Sequence, residues 1–416
     1  MPDVLAFPGI RYDCDAVGAD LGVLAAPPYD VVDDDLQASL ESAHERNSVR
    51  LILPRDETND GDRYERAAAT FRRWLADGTL VRDPAPRYYG YRMRFTDAHG
   101  VARHTHGVIG ALRLPNPGDT NGVLPHERTL PKAKSDRLSL LSAMRVNVDP
   151  IWGLSLTPGL TDLLEPAVPL CRAIDTDGAG AGDEHELFGI DDPTQIEAIH
   201  RAIAATPLVL ADGHHRFETA CNYRQELRDA GLPVGGADSI MTFVVELSED
   251  ELCIDPIHRL VAVPDGLDVR AALADAFDIA AVGPNTPEVV EQIEARMRAA
   301  GALGLVDRHG IALATPRREI TDRALESEPE PVRATDSALV ETVVVPRLPD
   351  STWAYRHDAT AVAALVEKAM ASAAFLCNPV SVAQTRAAAL AGVRMPQKTT
   401  FFSPKPRTGM VFRSLD

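Results

Sequence analysis

The stretch LADGHHRFETA, residues 210–220, joins an apolar run at residues 207–211 to a helical pattern that follows it. Between the two lies a short polar turn with one glycine, which predicts a strand, a turn and a helix in that order. The first backbone N–H groups of a helix have no internal partner, and the helix dipole favours an anion there. Such a strand–turn–helix unit is a natural seat for a phosphate group.

Five residues of this turn are candidates for holding an anion. Asp212 could cap the helix, Gly213 lets the backbone approach a ligand, and His214, His215 and Arg216 add imidazole and guanidinium donors. The alternative interpretation is structural, a capped helix that carries two surface histidines.

The composition narrows the classes of protein that this chain can be. With 416 residues it is expected to hold two or three domains. A net charge of −19 argues against general affinity for nucleic acid or for an anionic membrane, because such binding needs basic surface. No basic segment followed by an apolar core opens the sequence, and no uncharged apolar run is long enough to span a membrane. We therefore expect a cytoplasmic protein with no nucleic-acid or membrane partner.

The five cysteines lie far apart, at Cys14, Cys171, Cys221, Cys253 and Cys377. An odd number without a Cys-x-x-Cys spacing is typical neither of a disulfide framework nor of a zinc ribbon. We expect reduced, mostly buried thiols.

Helical and strand patterns alternate along the chain, which predicts an α/β protein of mixed α+β type. Helices are predicted at residues 60–76, 193–205, 268–277 and 287–300, and strands at 87–95, 101–114 and 240–247. Breaks rich in glycine, proline or acidic residues fall at 115–123, 175–186 and 326–332.

Two further segments carry charged residues of chemical interest. Residues 124–129 (LPHERT) place Glu127 between His126 and Arg128, ahead of a basic helical run. This carboxylate is either a solvated helix cap or an acid/base group in an electropositive pocket. The tail at residues 395–407 (MPQKTTFFSPKPR) has too many prolines for a helix, and Lys398 and Lys405 could reach phosphates or face water.

Together the three segments resemble the free L-serine kinases of the ParB/sulfiredoxin-like superfamily. In that family a Pro-His-Glu segment comes first, an Asp-Gly-His-His-Arg turn second and a Ser-Pro-Lys segment last, as at residues 125–127, 212–216 and 403–405 here. The whole chain more closely resembles a large conserved family of uncharacterised bacterial and archaeal proteins. That resemblance lies in FPGIRY (7–12), PPYDV (27–31), NSVR (47–50) and PQKTT (396–400).

The resemblance implies a ParB/sulfiredoxin-like core with additional N-terminal and C-terminal α+β regions. We assign residues 1–114 to an N-terminal α/β region and 115–260 to the nucleotide- and phosphate-binding core. Residues 261–350 then form a small α+β domain, and 351–416 a C-terminal helical region with a tail that closes the pocket. About 120 residues precede the His-Glu segment, which departs from the compact serine kinases and leaves the choice of nucleotide open.

The activity implied is phosphoryl transfer from ATP or ADP to free L-serine, giving O-phospho-L-serine. By resemblance Glu127 is the catalytic base, with His126 beside it, and residues 212–216 bind phosphate. Lys398 and Lys405 would close over the phosphates from the tail. Mg²⁺ is the expected cofactor, with Asp212 as its candidate ligand.

The amino-acid substrate needs partners for both of its charges. Arg128, Lys134 and Arg137 could bind its carboxylate, and Asp30 or Asp136 its ammonium group. The expected partners are thus a nucleotide and a small amino acid, and a homodimer is one assembly that the resemblance allows.

Two other functions stay open. One is a ParB-like nucleotide-binding regulatory module without turnover, and the other is a kinase of a different small hydroxylated metabolite. Sulfiredoxin chemistry is not expected, because His214 or His215 stands where those enzymes place a cysteine.

Overall fold

The computed structural model of the chain describes residues 1–56, 62–97, 99–116, 118–119, 122–125, 127, 134–165, 167–175 and 181–416. The chain forms two compact units. Unit 1 comprises Met1–Pro125, Thr129–Cys253 and Pro404–Asp416, and unit 2 comprises His126–Arg128 and Ile254–Ser403. The mixed α/β class predicted from the sequence is confirmed. The four-part division of the chain stays a prediction.

The strands of the described residues, in chain order, are β1 (Val4–Leu5), β2 (Ile10–Tyr12), β3 (Leu80–Arg82), β4 (Tyr88–Thr96), β5 (Ala102–Arg113), β6 (Val123–Pro125), β7 (Val146–Asn147), β8 (Ile151–Ser155), β9 (Val168–Ile174), β10 (Glu184–Ile190), β11 (Leu208–Asp212), β12 (Ser239–Glu246), β13 (Cys253–Asp255), β14 (His258–Ala262), β15 (Phe277–Gly283), β16 (Leu303–Asp307), β17 (Gly310–Pro316), β18 (Thr352–Arg356), β19 (Ala373–Leu376), β20 (Phe401–Ser403) and β21 (Arg413–Ser414).

The α-helices are α1 (Cys14–Val17), α2 (Leu21–Leu24), α3 (Asp34–Ala43), α4 (Val49–Ile52), α5 (Arg63–Ala76), α6 (Lys134–Met144), α7 (Pro193–Ala204), α8 (His214–Asp229), α9 (Val269–Leu273), α10 (Pro287–Ala300), α11 (Arg318–Ala324), α12 (Glu330–Arg333), α13 (Asp336–Leu339), α14 (Ala359–Glu367) and α15 (Val382–Leu390). Short 3₁₀ turns occupy Thr161–Leu164, Gly235–Asp238 and Val345–Arg347, and Val340–Val344 is a π-helical turn.

A mixed nine-stranded sheet forms the centre of unit 1. Its order is β6-β11-β8-β12-β5-β4-β10-β9, and β1 pairs with β5. The pairs β6–β11 and β8–β12 are parallel, and the other pairs of this sheet are antiparallel. Two smaller sheets of unit 1 join β2 to β3 and β7 to β21. The strand β11 that precedes the Asp-Gly-His-His-Arg turn therefore lies inside the main sheet, next to its β6 edge.

Apolar runs explain the central strands. In β12 the side chains of Phe243, Val244 and Val245 are all fully buried, although successive residues point to opposite faces. A strand that is covered on both faces has a continuous apolar sequence. The apolar run at residues 240–247 predicted this strand. Strands β4 and β5 likewise fall within one or two residues of their predicted bounds.

Aspartate caps fix the starts of several helices. Asp62 accepts a hydrogen bond from Tyr64 N at the start of α5, and Asp192 accepts two at the start of α7. Asp33 caps α3, and the two aspartates after it form an acidic first turn that complements the helix dipole.

Unit 2 is built on a six-stranded antiparallel sheet. Its order is β15-β17-β16-β19-β14-β18, and β13 pairs with β20 in a separate two-stranded sheet. One face of the large sheet packs around Phe375 and Leu305, and the other around Ile293 and Leu376.

The helix predicted at residues 268–277 is wrong in its second half. Asp268 caps a helix as the pattern indicates, but α9 ends at Leu273, and Phe277 begins strand β15 opposite Pro316. Pairing within the sheet overrides the helical preference of an alanine-rich segment. The neighbouring prediction at 287–300 matches α10. None of the described helices combines the length and the apolar character that a membrane span requires.

Candidate functional site

The Asp-Gly-His-His-Arg stretch is a sharp strand-to-helix turn in unit 1. Strand β11 ends at Asp212, Gly213 has a φ of +86°, and α8 begins at His214. A Cβ at position 213 would lie 2.7 Å from Ile151 Cγ2 and 3.1 Å from Arg216 Nε. Only glycine combines this left-handed backbone with so close an approach.

Asp212 does not cap the helix, which corrects the sequence-based interpretation. The N-cap position belongs to Gly213, which has no side chain to accept a hydrogen bond. The carboxylate of Asp212 instead accepts from Arg216 Nη2 at 2.6 Å and from Lys405 Nζ at 3.0 Å. Burial alone would raise the pKa of Asp212, but the charges of Lys405 and Arg216 outweigh it and hold that pKa well below its ordinary value.

Arg216 connects the turn to the segment before β8. Its Nη1 donates to Asp149 Oδ2 at 2.5 Å and to Pro150 O at 2.6 Å, and its side chain is 11% exposed. Burial raises the pKa of Asp149, against the opposing charge of Arg216. Arg216 Nε is buried and has no hydrogen-bond partner among the residues that the structure describes.

Lys405 brings the C-terminal segment to the same place. Its Nζ contacts the carboxylates of both Asp30 and Asp212, and its side chain is 8% exposed. Burial would lower the pKa of Lys405, but the two carboxylates raise it above its ordinary value. We call Asp30, Asp149, Asp212, Arg216 and Lys405 the turn cluster; it holds three carboxylates and two cations.

Tyr29 and Arg137 lie beside the turn cluster. The Arg137 guanidinium carbon is 4.4 Å from the centre of the Tyr29 ring, and its Nη1 donates to Ile52 O. Burial raises the pKa of Tyr29. The charge of Arg216 lowers this pKa, and the charges of Asp30 and Asp149 raise it.

The two histidines of the turn occupy the first two positions of α8. Both side chains are half-buried, so they are not the surface histidines of the structural alternative. The His214 imidazole acts on the titration of Asp212 in the direction that lowers its pKa.

Glu127 is held by the PQKTT segment within unit 2. Its Oε1 accepts from Thr399 N at 3.2 Å, Thr400 N at 2.8 Å and Thr400 Oγ1 at 2.7 Å, and its Oε2 accepts from Lys398 N at 3.1 Å. Residue 127 also forms a parallel bridge with Met395. Successive backbone N–H groups that converge on one carboxylate form an anion-binding nest.

The structure therefore brings together some of the predicted residues and not others. Asp30, Asp212, Arg216 and Lys405 meet in unit 1, whereas Glu127 and Lys398 meet in unit 2. His126 and Arg128 lie outside the described residues, and Lys134 is described only through its backbone in α6.

Sequence reasoning missed Asp149. It stands before a proline and a buried strand, and nothing in its immediate sequence marks it as a partner of Arg216. The signal that exists is indirect, because β8 pairs with β11 and so places the residue preceding β8 near the end of β11.

Among the described residues no group of three or more histidine, cysteine, aspartate or glutamate side chains could hold a metal ion. Both oxygens of Asp212 already accept from cations. Mg²⁺ in nucleotide sites is held by one or two carboxylates together with the phosphates, so Asp212 fits a metal that arrives with the nucleotide better than a resident ion.

A family model described as "Protein of unknown function (DUF1015)" matches residues 4–338. No curated protein matches the chain. Among solved structures, a conserved hypothetical protein from Pyrococcus furiosus is 11% identical with a TM-score of 0.36, covering 68% of this chain and 87% of that chain. A mutant free serine kinase in complex with AMP is 14% identical with a TM-score of 0.37, covering 68% and 84%. SbnI with a C-terminal truncation from Staphylococcus aureus is 11% identical with a TM-score of 0.36, covering 72% and 84%. Likenesses at these TM-scores assign no activity to this chain.

Proposed function

The chain belongs to the DUF1015 family of proteins of unknown function, and we propose that it is a nucleotide-dependent kinase of free L-serine. The observation that carries the proposal is the Asp-Gly-His-His-Arg turn at the start of α8, with Arg216 and Lys405 fixed beside it. ATP or ADP would be the phosphoryl donor, and O-phospho-L-serine the product.

Phosphoryl transfer depends mainly on positioning and on neutralisation of charge. The first turn of α8 offers backbone N–H groups, the positive end of the helix dipole and the imidazoles of His214 and His215. Arg216 adds a guanidinium whose Nε has no hydrogen-bond partner among the described residues. These groups together suit a polyphosphate.

The carboxylates of the turn cluster hold its cations in place before a ligand arrives. Arg216 is fixed by Asp149 and Asp212, and Lys405 by Asp30 and Asp212. Cations fixed in advance lose little conformational entropy when they bind phosphate. Mg²⁺, when bound, would neutralise phosphate charge, and Asp212 is the residue proposed to hold it.

Glu127 is the proposed base, on the strength of the motif resemblance. A carboxylate that accepts the serine proton would orient the hydroxyl for attack on the phosphate. The Glu127 carboxylate, which also accepts hydrogen bonds from residues 398–400, is the group proposed to take the proton. His126, the preceding residue in the sequence, is proposed as the second catalytic residue.

The remaining assignments of the proposal follow from charge. Arg128, Lys134 and Arg137 are proposed for the serine carboxylate, Asp30 for its ammonium group and Lys398 for phosphate. Asp30 already contacts Lys405, so in this role it would share its carboxylate between two cations.

One observation favours a second candidate function, a nucleotide-binding module without turnover. The carboxylate of Glu127 accepts four hydrogen bonds from residues 398–400, an arrangement that suits a structural anchor. Phosphate binding at the turn of unit 1 requires no base.

Phosphorus NMR of the purified protein with Mg²⁺, L-serine and either ATP or ADP tests the proposal. We expect a new phosphomonoester signal that needs serine and disappears in Glu127→Gln. The matched control is Glu326→Gln, which makes the same change at an exposed glutamate and should retain full activity.

Each other outcome has a definite meaning. Full activity in Glu127→Gln removes Glu127 as the base. Binding of a nucleotide by calorimetry without its consumption supports the regulatory module. A phosphomonoester that forms only with another hydroxylated acceptor replaces serine as the substrate.

A further inference from the structure

A cavity of about 340 Å³ opens in unit 1 among α3, α5 and α6, apart from the turn cluster. This volume lies at the lower end of the range of small-molecule sites. The charged residues of its wall are Asp34, Asp56, Asp136, Arg55, Arg63 and Arg137. Leu53 and Pro54 add a small apolar surface.

Acidic and basic side chains of this wall are paired with each other. Arg63 spans it, since its Nη1 donates to Asp56 Oδ2 at 3.1 Å and its Nη2 to Asp136 Oδ1 at 2.8 Å. On the other side Asp136 Oδ2 accepts from Arg137 Nε at 2.9 Å. These contacts fix the guanidinium groups of Arg63 and Arg137 in one place.

The wall keeps hydrogen-bonding capacity for a ligand. Within the described residues, Arg137 donates from three of its nitrogen atoms to two acceptors, while a guanidinium carries five N–H donors. Asp34 is exposed in the first turn of α3 and forms no ion pair with any described residue.

The balance of charge selects the class of ligand. A phosphate or another simple anion would face three carboxylates, and a simple cation would face three guanidinium groups. A molecule that carries one charge of each sign satisfies both sets. The ligand is expected to be small, because the cavity lies at the lower end of the range of small-molecule sites.

We propose that this cavity binds a small zwitterionic ligand of the amino-acid class. The ligand carboxylate lies against Arg63 and Arg137, and its ammonium group against Asp34 and Asp56. Leu53 and Pro54 contact its side chain. The inference deepens the proposed function at Arg137, the residue assigned there to the serine carboxylate. It can be tested apart from phosphoryl transfer, because the binding needs neither a nucleotide nor Glu127.

The position of Arg137 gives the cavity a path to the turn cluster. Arg137 lies over the Tyr29 ring, and the next residue, Asp30, contacts Lys405. Arg137 is therefore shared between the wall of the cavity and the surroundings of the turn cluster.

Ligand-observed NMR of the full chain without nucleotide tests this site. The probes are L-serine, glycine and L-threonine as zwitterions, acetate as a simple anion and ethylamine as a simple cation. We expect at least one zwitterion to bind and neither single-charge probe to compete with it.

Two variants locate the binding. Arg63→Gln and Asp34→Asn should each weaken zwitterion binding by about tenfold or more, because each removes one charge-assisted contact. The matched control is Arg72→Gln, which makes the same change at an exposed arginine of α5 that does not line the cavity. Equal binding in Arg63→Gln and Arg72→Gln, acetate binding as tight as that of the zwitterions, or no zwitterion binding at all would each overturn the proposal. None of these outcomes depends on kinase activity.

Discussion

Lys405 Nζ lies 3.0 Å from Asp212 Oδ1 across 193 positions of sequence. The contact joins the C-terminal segment of unit 1 to the end of β11, where the strand turns into α8. Because Asp30 contacts the same ammonium group, one buried lysine fixes three distant segments of unit 1.

Replacing Lys405 by methionine should destabilise unit 1. The variant would leave Asp30 and Asp212 close together without the cation between them, and removing one partner of a buried ion pair typically costs about 3–5 kcal/mol. Arg216 still contacts Asp212, so we expect about 3 kcal/mol, at the lower end of that range. Urea unfolding followed by tryptophan fluorescence in a Trp353→Phe background measures it, because Trp74 and Trp152 then report on unit 1 alone.

Lys368→Met is the control for this change. Lys368 is exposed in unit 2, so its replacement should leave the transition of unit 1 where it was. If the two variants unfold at the same urea concentration, Lys405 does not hold the segments together.

Gly213→Ala should lower the free energy of unfolding of unit 1, measured by urea unfolding, by about 3 kcal/mol. The added methyl group meets Ile151 Cγ2 at 2.7 Å and must also adopt a φ of +86°. Gly231→Ala separates the two effects, because Gly231 also has a positive φ but has nothing within 4 Å of the added Cβ. That control should lose only about 1 kcal/mol, the cost of a left-handed backbone. Equal losses in the two variants would mean that the turn has room for a side chain.

The sequence predicted the strand–turn–helix unit because its signals are local. An apolar run, a glycine and a helical pattern follow each other within residues 207–224, and the observed β11 and α8 match them. Asp149 could not be predicted in the same way. Its contact with Arg216 depends on the pairing of β8 with β11, a long-range relationship that no local pattern encodes.

The contacts of Glu127 within unit 2 could not be predicted from local sequence patterns either. The PHE and PQKTT segments were each recognised as motifs, yet their spacing of about 270 residues gives no sign that one binds the other. Lys398 was predicted through its side chain, whereas the structure shows its backbone N–H donating to Glu127.

The stability of unit 1 should fall as the pH rises from about 4 to about 6 through the titration of Asp183. Burial and then the charge of Asp175 raise the pKa of Asp183 from 3.8 to about 6. The folded state therefore keeps this proton to a higher pH than the unfolded state does, and the penalty for ionising the buried carboxyl is complete above pH 6.

Asp183→Asn removes that penalty, so it should stabilise unit 1 at pH 7.5 and not at pH 3.5. Because Asp183 is only half-buried, solvent screening limits the gain to about 1–2 kcal/mol. Urea unfolding at the two pH values measures it, with Asp250→Asn as the control at an exposed aspartate. A gain of equal size at both pH values would assign the effect to something other than this titration.

Glu127→Gln should loosen residues 398–400 even if the rest of unit 2 stays folded. Lys398 has a φ of +56°, a left-handed conformation that costs a residue with a side chain about 1–2 kcal/mol. The hydrogen bonds to Glu127 hold it there, and a glutamine would present an NH₂ group to one of the backbone donors. Hydrogen exchange should therefore speed up by about tenfold or more at Lys398, Thr399 and Thr400, and stay unchanged in Glu326→Gln. Unchanged exchange at these three amides would show that the segment keeps its shape without the carboxylate.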